Sequence, residues 1–164
     1  MDMTNPSWTY QGRIFNDISD FPQDTYGFIY EVYHKPTGQK YIGKKVLHFE
    51  RNKRLGKRAL EELRLERKAK GIGGRTPLKH KVITESDWKD YYGSHPKIKE
   101  LIKESTDLRK DFERKILDLV PNKKLLTYYE CKHLFINDVL ETYSHMYIND
   151  NILGKFYRKD FNHD

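Results

Sequence analysis

The chain has 164 residues, enough for one domain with its own core and short for two. Its net charge is +7 and 34% of its residues are charged, yet aromatics reach 13%, more rings than a disordered chain carries. At a mean hydropathy of −0.90 it offers no run of about 18 apolar residues to span a membrane, and a single cysteine, Cys131, excludes an internal disulfide and a thiolate zinc site.

The start, MDMTNPSWTYQG, lacks the basic and then apolar pattern of a secretory signal, so a reducing, cytoplasmic setting is expected. Residues 1–25 read as a leader whose Phe15, Ile18 and Phe21 pack on the domain before Pro22 ends it. YGFIYEVYH (26–34) puts Phe28, Tyr30 and Val32 on one parity and Ile29, Glu31 and Tyr33 on the other. With its aromatic and β-branched bias, that predicts a strand buried largely on one face. Pro36-Thr37-Gly38 supplies a turn, and QKYIGKKVL returns as the antiparallel partner. Gly43 inside it marks a bulge or a close backbone approach.

LGKRALEELRLERKAKG (55–71) is rich in helix formers and ends at a glycine, and GIGGRTP (71–77) is a flexible break. Ser94 or His95 starts a helix with Pro96 in its first turn and Ile98, Leu101 and Ile102 inward. DFERKILDLV (111–120) reads as a third strand, and Pro121-Asn122 opens a helix over 122–140. YINDNILGKFYRKDF then forms a polar, aromatic C-terminal loop or short strand. This order predicts an α+β fold, a small central sheet of about three mainly antiparallel strands flanked by helices.

From Lys44 to Lys81 there are 14 Lys and Arg against 4 Glu, whereas the rest of the chain has 17 positive against 20 negative residues. A block of this kind attracts a polyanion, although a solvated helix face or basic loop has the same composition. In the last predicted helix, Leu126 and Leu134 lie four residues before and after Glu130. The shared stripe puts a carboxylate at the edge of a buried face, where it needs a cation or a metal, or a surface salt bridge.

GFIY followed after the turn by KYIG resembles the GIY-YIG nuclease superfamily. The interval from Tyr30 to Tyr41 is the family's. Arg51 stands ten residues past Tyr41, where phage members carry their catalytic arginine. Glu130 follows the third strand on a helix, and Asn149 in MYINDNI matches the family's late asparagine. DWKDYYGSHPKIKEL is similar to a segment common in phage-encoded members. The similarity covers roughly residues 26–157, with a basic insert at about 50–81 and a tail at 158–164. The first motif is Gly-Phe-Ile-Tyr rather than Gly-Ile-Tyr. Lys44, Lys45 and Arg54 rival Arg51 as the catalytic cation, and Asn151 rivals Asn149.

The resemblance implies a metal-dependent DNA endonuclease of the phage, homing-endonuclease-like type, acting in a host-cell cytoplasm if phage-encoded. Glu130 would hold one Mg2+ or Mn2+ with water completing its shell. Arg51 would fork onto a phosphate oxygen. Tyr30 would orient the attacking water or take its proton, Tyr41 would bond the water or the phosphate, and Asn149 would position the glutamate or the phosphate. Lys44, Lys45, Lys53, Arg54, Lys57, Arg58 and Arg64 would track the DNA backbone. Trp88, Tyr91 and Tyr92 could stack on bases but favour core packing. The alternative is a non-catalytic DNA- or RNA-binding module that keeps the fold.

Overall fold

The computed structural model describes residues 4–141 and 146–161; residues 1–3 of the expected leader and 162–164 of the expected tail lie outside them. The chain divides into two compact units, one made of the residues up to Leu47 and from Asp87 on, the other of His48–Ser86.

In the first unit, two short strands, β1 (Trp8–Tyr10) and β2 (Arg13–Phe15), precede the predicted hairpin of β3 (Gly27–His34) and β4 (Gln39–Val46). The second unit holds β5 (His48–Arg54), α1 (Lys57–Ala69) and β6 (Lys79–Glu85). The first unit resumes with α2 (Pro96–Glu104), a single turn α3 (Leu108–Asp111), β7 (Phe112–Val120) and α4 (Lys123–Ile136). A small ribbon of β8 (Asn151–Ile152) and β9 (Phe156–Tyr157) follows.

The main sheet has five strands in the order β2-β1-β7-β3-β4. Its central trio β7-β3-β4 is antiparallel, as the sequence predicts. The extension beyond three strands comes from residues 8–15, read from sequence as a leader: β1 pairs parallel with β7 and antiparallel with β2. Trp8 is fully buried there, and buried Arg114 ties the segment down by donating to the Pro6 carbonyl and stacking on the Trp8 and Tyr92 rings.

The strand expected to be buried on one face is buried on both. Phe28, Tyr30 and Val32 join a core with Trp8, Trp88, Ile98 and Phe112, while Ile29 joins Ile42, Val120, Leu126 and Leu134 beneath α4. The expectation for Trp88 and Tyr92 is met in the first of these cores, where both are buried. His95 caps α2, accepting at Nδ1 from the Lys97 backbone N–H, and Pro96 fills the first helical position. α4 stops at Ile136 rather than 140, because Asp138 turns to a φ of 50° and folds Val139 and Leu140 back into the core.

The second unit is built differently. β5 and β6 pair antiparallel over seven positions, two strands within the basic insert that the sequence does not predict. No apolar side chain of residues 48–86 is buried; Phe49, Leu65 and Ile83 are exposed. Among the described residues, no helix is long and apolar enough to cross a membrane.

Candidate active site

Strand β4 is the free edge of the sheet, so the backbone groups of its even-numbered residues need partners from elsewhere. Two different groups supply them along its length. At Lys40, the C-terminal segment adds a short parallel bridge, the Lys40 N–H donating to Met146 O and the Ile148 N–H to Lys40 O. At Ile42, the Asn149 side chain stands in for a strand, its Oδ1 accepting from Ile42 N at 3.0 Å and its Nδ2 donating to Ile42 O at 2.8 Å. At Lys44, the Glu130 carboxylate faces the strand, and Lys44 pulls its pKa down against burial.

A cleft of about 320 Å³ opens along this edge, lined by Tyr41, Lys44, His95, Glu130, Asn149 and Asp150 among others. Leu126 and Leu134 bury the α4 stripe that the sequence indicated, and Glu130 sits half-buried at its margin. Burial pushes the Glu130 carboxyl above the usual range, against the pull of Lys44. The Lys44 Nζ lies 3.8 Å from Glu130 Oε1 and donates to Thr127 Oγ1 at 3.0 Å.

Tyr30 and Tyr41 lie on the opposite face of the sheet from Ile42 and the α4 leucines, and of the two only Tyr41 lines the cleft. Burial, with the Tyr91, Glu130 and Asp150 groups nearby, pushes the Tyr41 hydroxyl up to about 12. Tyr30 is 1% exposed and is not among the residues lining the cleft. Burial, then Tyr91, Tyr41 and Glu130, holds its hydroxyl well above the ordinary tyrosine value. Both phenols are therefore protonated at neutral pH. Gly43 explains how the Tyr30 hydroxyl fits: a Cβ there would stand 2.4 Å from that oxygen. Gly93, at a φ of 118°, presses on the Tyr41 ring in the same way, which accounts for the glycine in YYGSHP.

The remaining expected residues divide. Asn149 is buried with its amide committed to Ile42, while its rival Asn151, which also lines the cleft, donates to Asp150 and accepts from Gly154 N–H. Lys45, expected on DNA, is 8% exposed; its ammonium lies 2.6 Å from Asp87 Oδ1 and over the Tyr91 ring. Arg51, Lys53 and Arg54 are exposed on β5, and Lys57, Arg58 and Arg64 are exposed on α1, all in the second unit. Two further residues line the cleft that the sequence did not single out, His95 and Asp150. His95 registered only as a helix cap, yet its Nε2 lies 3.2 Å from Asp150 Oδ2. Burial would raise the Asp150 carboxyl, but hydrogen bonds from Asn151 and His95 hold it below the usual value.

Residues 8–152 match the family model described as "Putative endonuclease segE, GIY-YIG domain". The chain belongs to this GIY-YIG family. The match begins at Trp8, so the family domain takes in strands β1 and β2, which lie outside the stretch from residue 26 where the resemblance was read. Searches among curated proteins and among solved structures gave no match. GIY-YIG membership supports a nuclease function acting on nucleic acid.

Among the described residues, no group of three or more His, Cys, Asp or Glu side chains is placed to hold a metal ion. A closed, all-protein metal site is thus not what this cleft offers. One half-buried carboxylate in a polar cleft suits a hard divalent cation that keeps most of its water.

Proposed function

We propose that the protein is a metal-dependent DNA endonuclease of the phage type, hydrolysing phosphodiester bonds in the cleft along β4. The observation that carries this reading is the convergence on one cleft of the Tyr41 phenol, the Glu130 carboxylate and the Lys44 ammonium. Glu130 would hold the Mg2+ or Mn2+ ion, which when bound supplies positive charge against the phosphorane dianion.

This chain's own groups then take the following parts. The Tyr41 hydroxyl, protonated at neutral pH, donates a hydrogen bond to a phosphate oxygen rather than abstracting a proton. Lys44 is the cation that the cleft itself holds, and its ammonium meets a non-bridging oxygen once the phosphate enters. Tyr30 acts through the site's architecture, filling the space above Gly43 and fixing β3 against β4. Asn149 keeps the strand edge in place, so that Tyr41 and Lys44 are presented at constant spacing. The exposed cations of the second unit, Arg51 among them, give affinity for the phosphate backbone.

The test is conversion of supercoiled plasmid in the presence of magnesium. Wild type should nick it and stop when EDTA is added. Glu130→Ala should lose at least about a hundredfold in rate while still shifting DNA in a gel. A protein that binds DNA but never cuts supercoiled, linear or branched substrates would instead be a binding module that has kept the fold.

A further inference from the structure

The second unit contains more than loose positive charge. β5 and β6 form a two-stranded antiparallel ribbon of seven register pairs, from His48 opposite Glu85 to Arg54 opposite Lys79. Opposed residues share a face. One face therefore presents Asn52 beside Lys81 and, one step on, Arg54 beside Lys79. The other presents Arg51 and Lys53 with Val82 and His80.

Every residue of the ribbon is exposed except Val82, which is half-buried and lies on the second face. A two-stranded ribbon with no covered face is at best marginally stable alone, so its sequence is shaped by something other than a core. Charged residues and asparagine are also poor strand formers, and here they dominate fourteen strand positions.

We propose that the ribbon of residues 48–54 and 79–85 enters the major groove of duplex DNA and reads base edges there through Asn52 and Arg54. The dimensions agree: the groove is about 12 Å wide and admits a two-stranded ribbon. Same-face neighbours along a strand are about 6.7 Å apart, close to two base-pair steps of about 3.4 Å. The chemistry agrees as well. An arginine fork matches the guanine O6 and N7 acceptors, and an asparagine amide matches the adenine N6 and N7 pair. Among the described residues Arg54 and Lys79 form no ion pair, so both cations stand ready for an anionic partner. On the same face, the Glu50 carboxylate is offset by Lys81 at 3.0 Å. The exposed charges of α1 supply phosphate contacts, which leaves sequence reading to the ribbon.

This inference rests on the DNA-nuclease reading and refines it. The test is selection of bound sequences from a randomised duplex library with the full chain in EDTA, followed by binding to the selected and scrambled duplexes. Wild type should select a sequence, and guanine N7 methylation within it should interfere with binding. Asn52→Ala should cut the preference for the selected duplex at least about fivefold without altering the salt dependence, since an uncharged amide releases no counterion. Arg54→Lys, which keeps the charge and loses the planar fork, should lower the same preference with the salt dependence unchanged. The ribbon reading is overturned if wild type selects no sequence, if only minor-groove adenine N3 methylation interferes, or if both variants weaken all duplexes equally. Magnesium-dependent nicking alongside any of these results would leave the nuclease reading standing, whereas absence of both nicking and DNA binding would remove both.

Discussion

Glu130 shows what a half-buried carboxylate costs a small fold. It sits at the margin of a leucine stripe, where burial disfavours its charge, and Lys44 compensates only in part because that ammonium is 39% exposed. Its pKa is raised on folding, so the stability it permits is complete below the ordinary carboxylate range. That stability is lost as pH rises through the raised value. Glu130→Gln should therefore raise the thermal midpoint of the metal-free protein at pH 7 and leave it nearly unchanged at pH 4. On the proposed metal role of Glu130, magnesium should in turn stabilise the wild type and not the variant, which lacks the carboxylate. Calorimetry at the two pH values, with and without the ion, decides the matter. A lower midpoint for the variant at pH 7 would show that the carboxylate is structural.

At the scale of elements, the edge of β4 joins the fold to the site. Asn149 does there what a neighbouring strand would do, satisfying both backbone groups of Ile42 from a single side chain. Removing the amide in Asn149→Ala strands a donor and an acceptor, at a cost of about 2–4 kcal/mol. The Ile42 amide should lose most of its protection against hydrogen exchange. Nicking should fall about a hundredfold even though Tyr41, Lys44 and Glu130 are intact, as small displacements of catalytic groups cost that much. Unchanged exchange at Ile42 would refute this account. The sequence announced Asn149 as a residue but not this task, because nothing local to MYIND refers to a strand more than a hundred residues away. The hairpin of β3 and β4, α2 with its proline and β7 were legible since each is written in local alternation, capping or turn chemistry. β1 and β2 were not: three-residue strands carry no period, and the parallel pairing of β1 with β7 is a tertiary event. The β5–β6 ribbon was missed for the opposite reason, since its strands have no apolar alternation to read.

For the whole molecule, charge and core are partitioned between the two units. Residues 48–86 hold 12 Lys and Arg against 5 Glu with no buried apolar side chain, while the remainder carries 19 of each sign around both hydrophobic clusters. Folding energy thus resides in the neutral unit and long-range attraction in the basic one. Within the neutral unit the contact of Lys45 with Asp87 brings together the two ends from which the basic unit departs. Replacing residues 48–86 with a short Gly-Ser linker should then leave that unit folded, with its thermal midpoint within about 3 °C of the full chain. Magnesium-dependent nicking should survive at low salt. DNA affinity should lose most of its salt dependence, since each phosphate contact removed takes about 0.9 from the slope of log K against log salt. A shortened chain that unfolds, or that keeps the full slope, would mean that the two halves share their work rather than divide it.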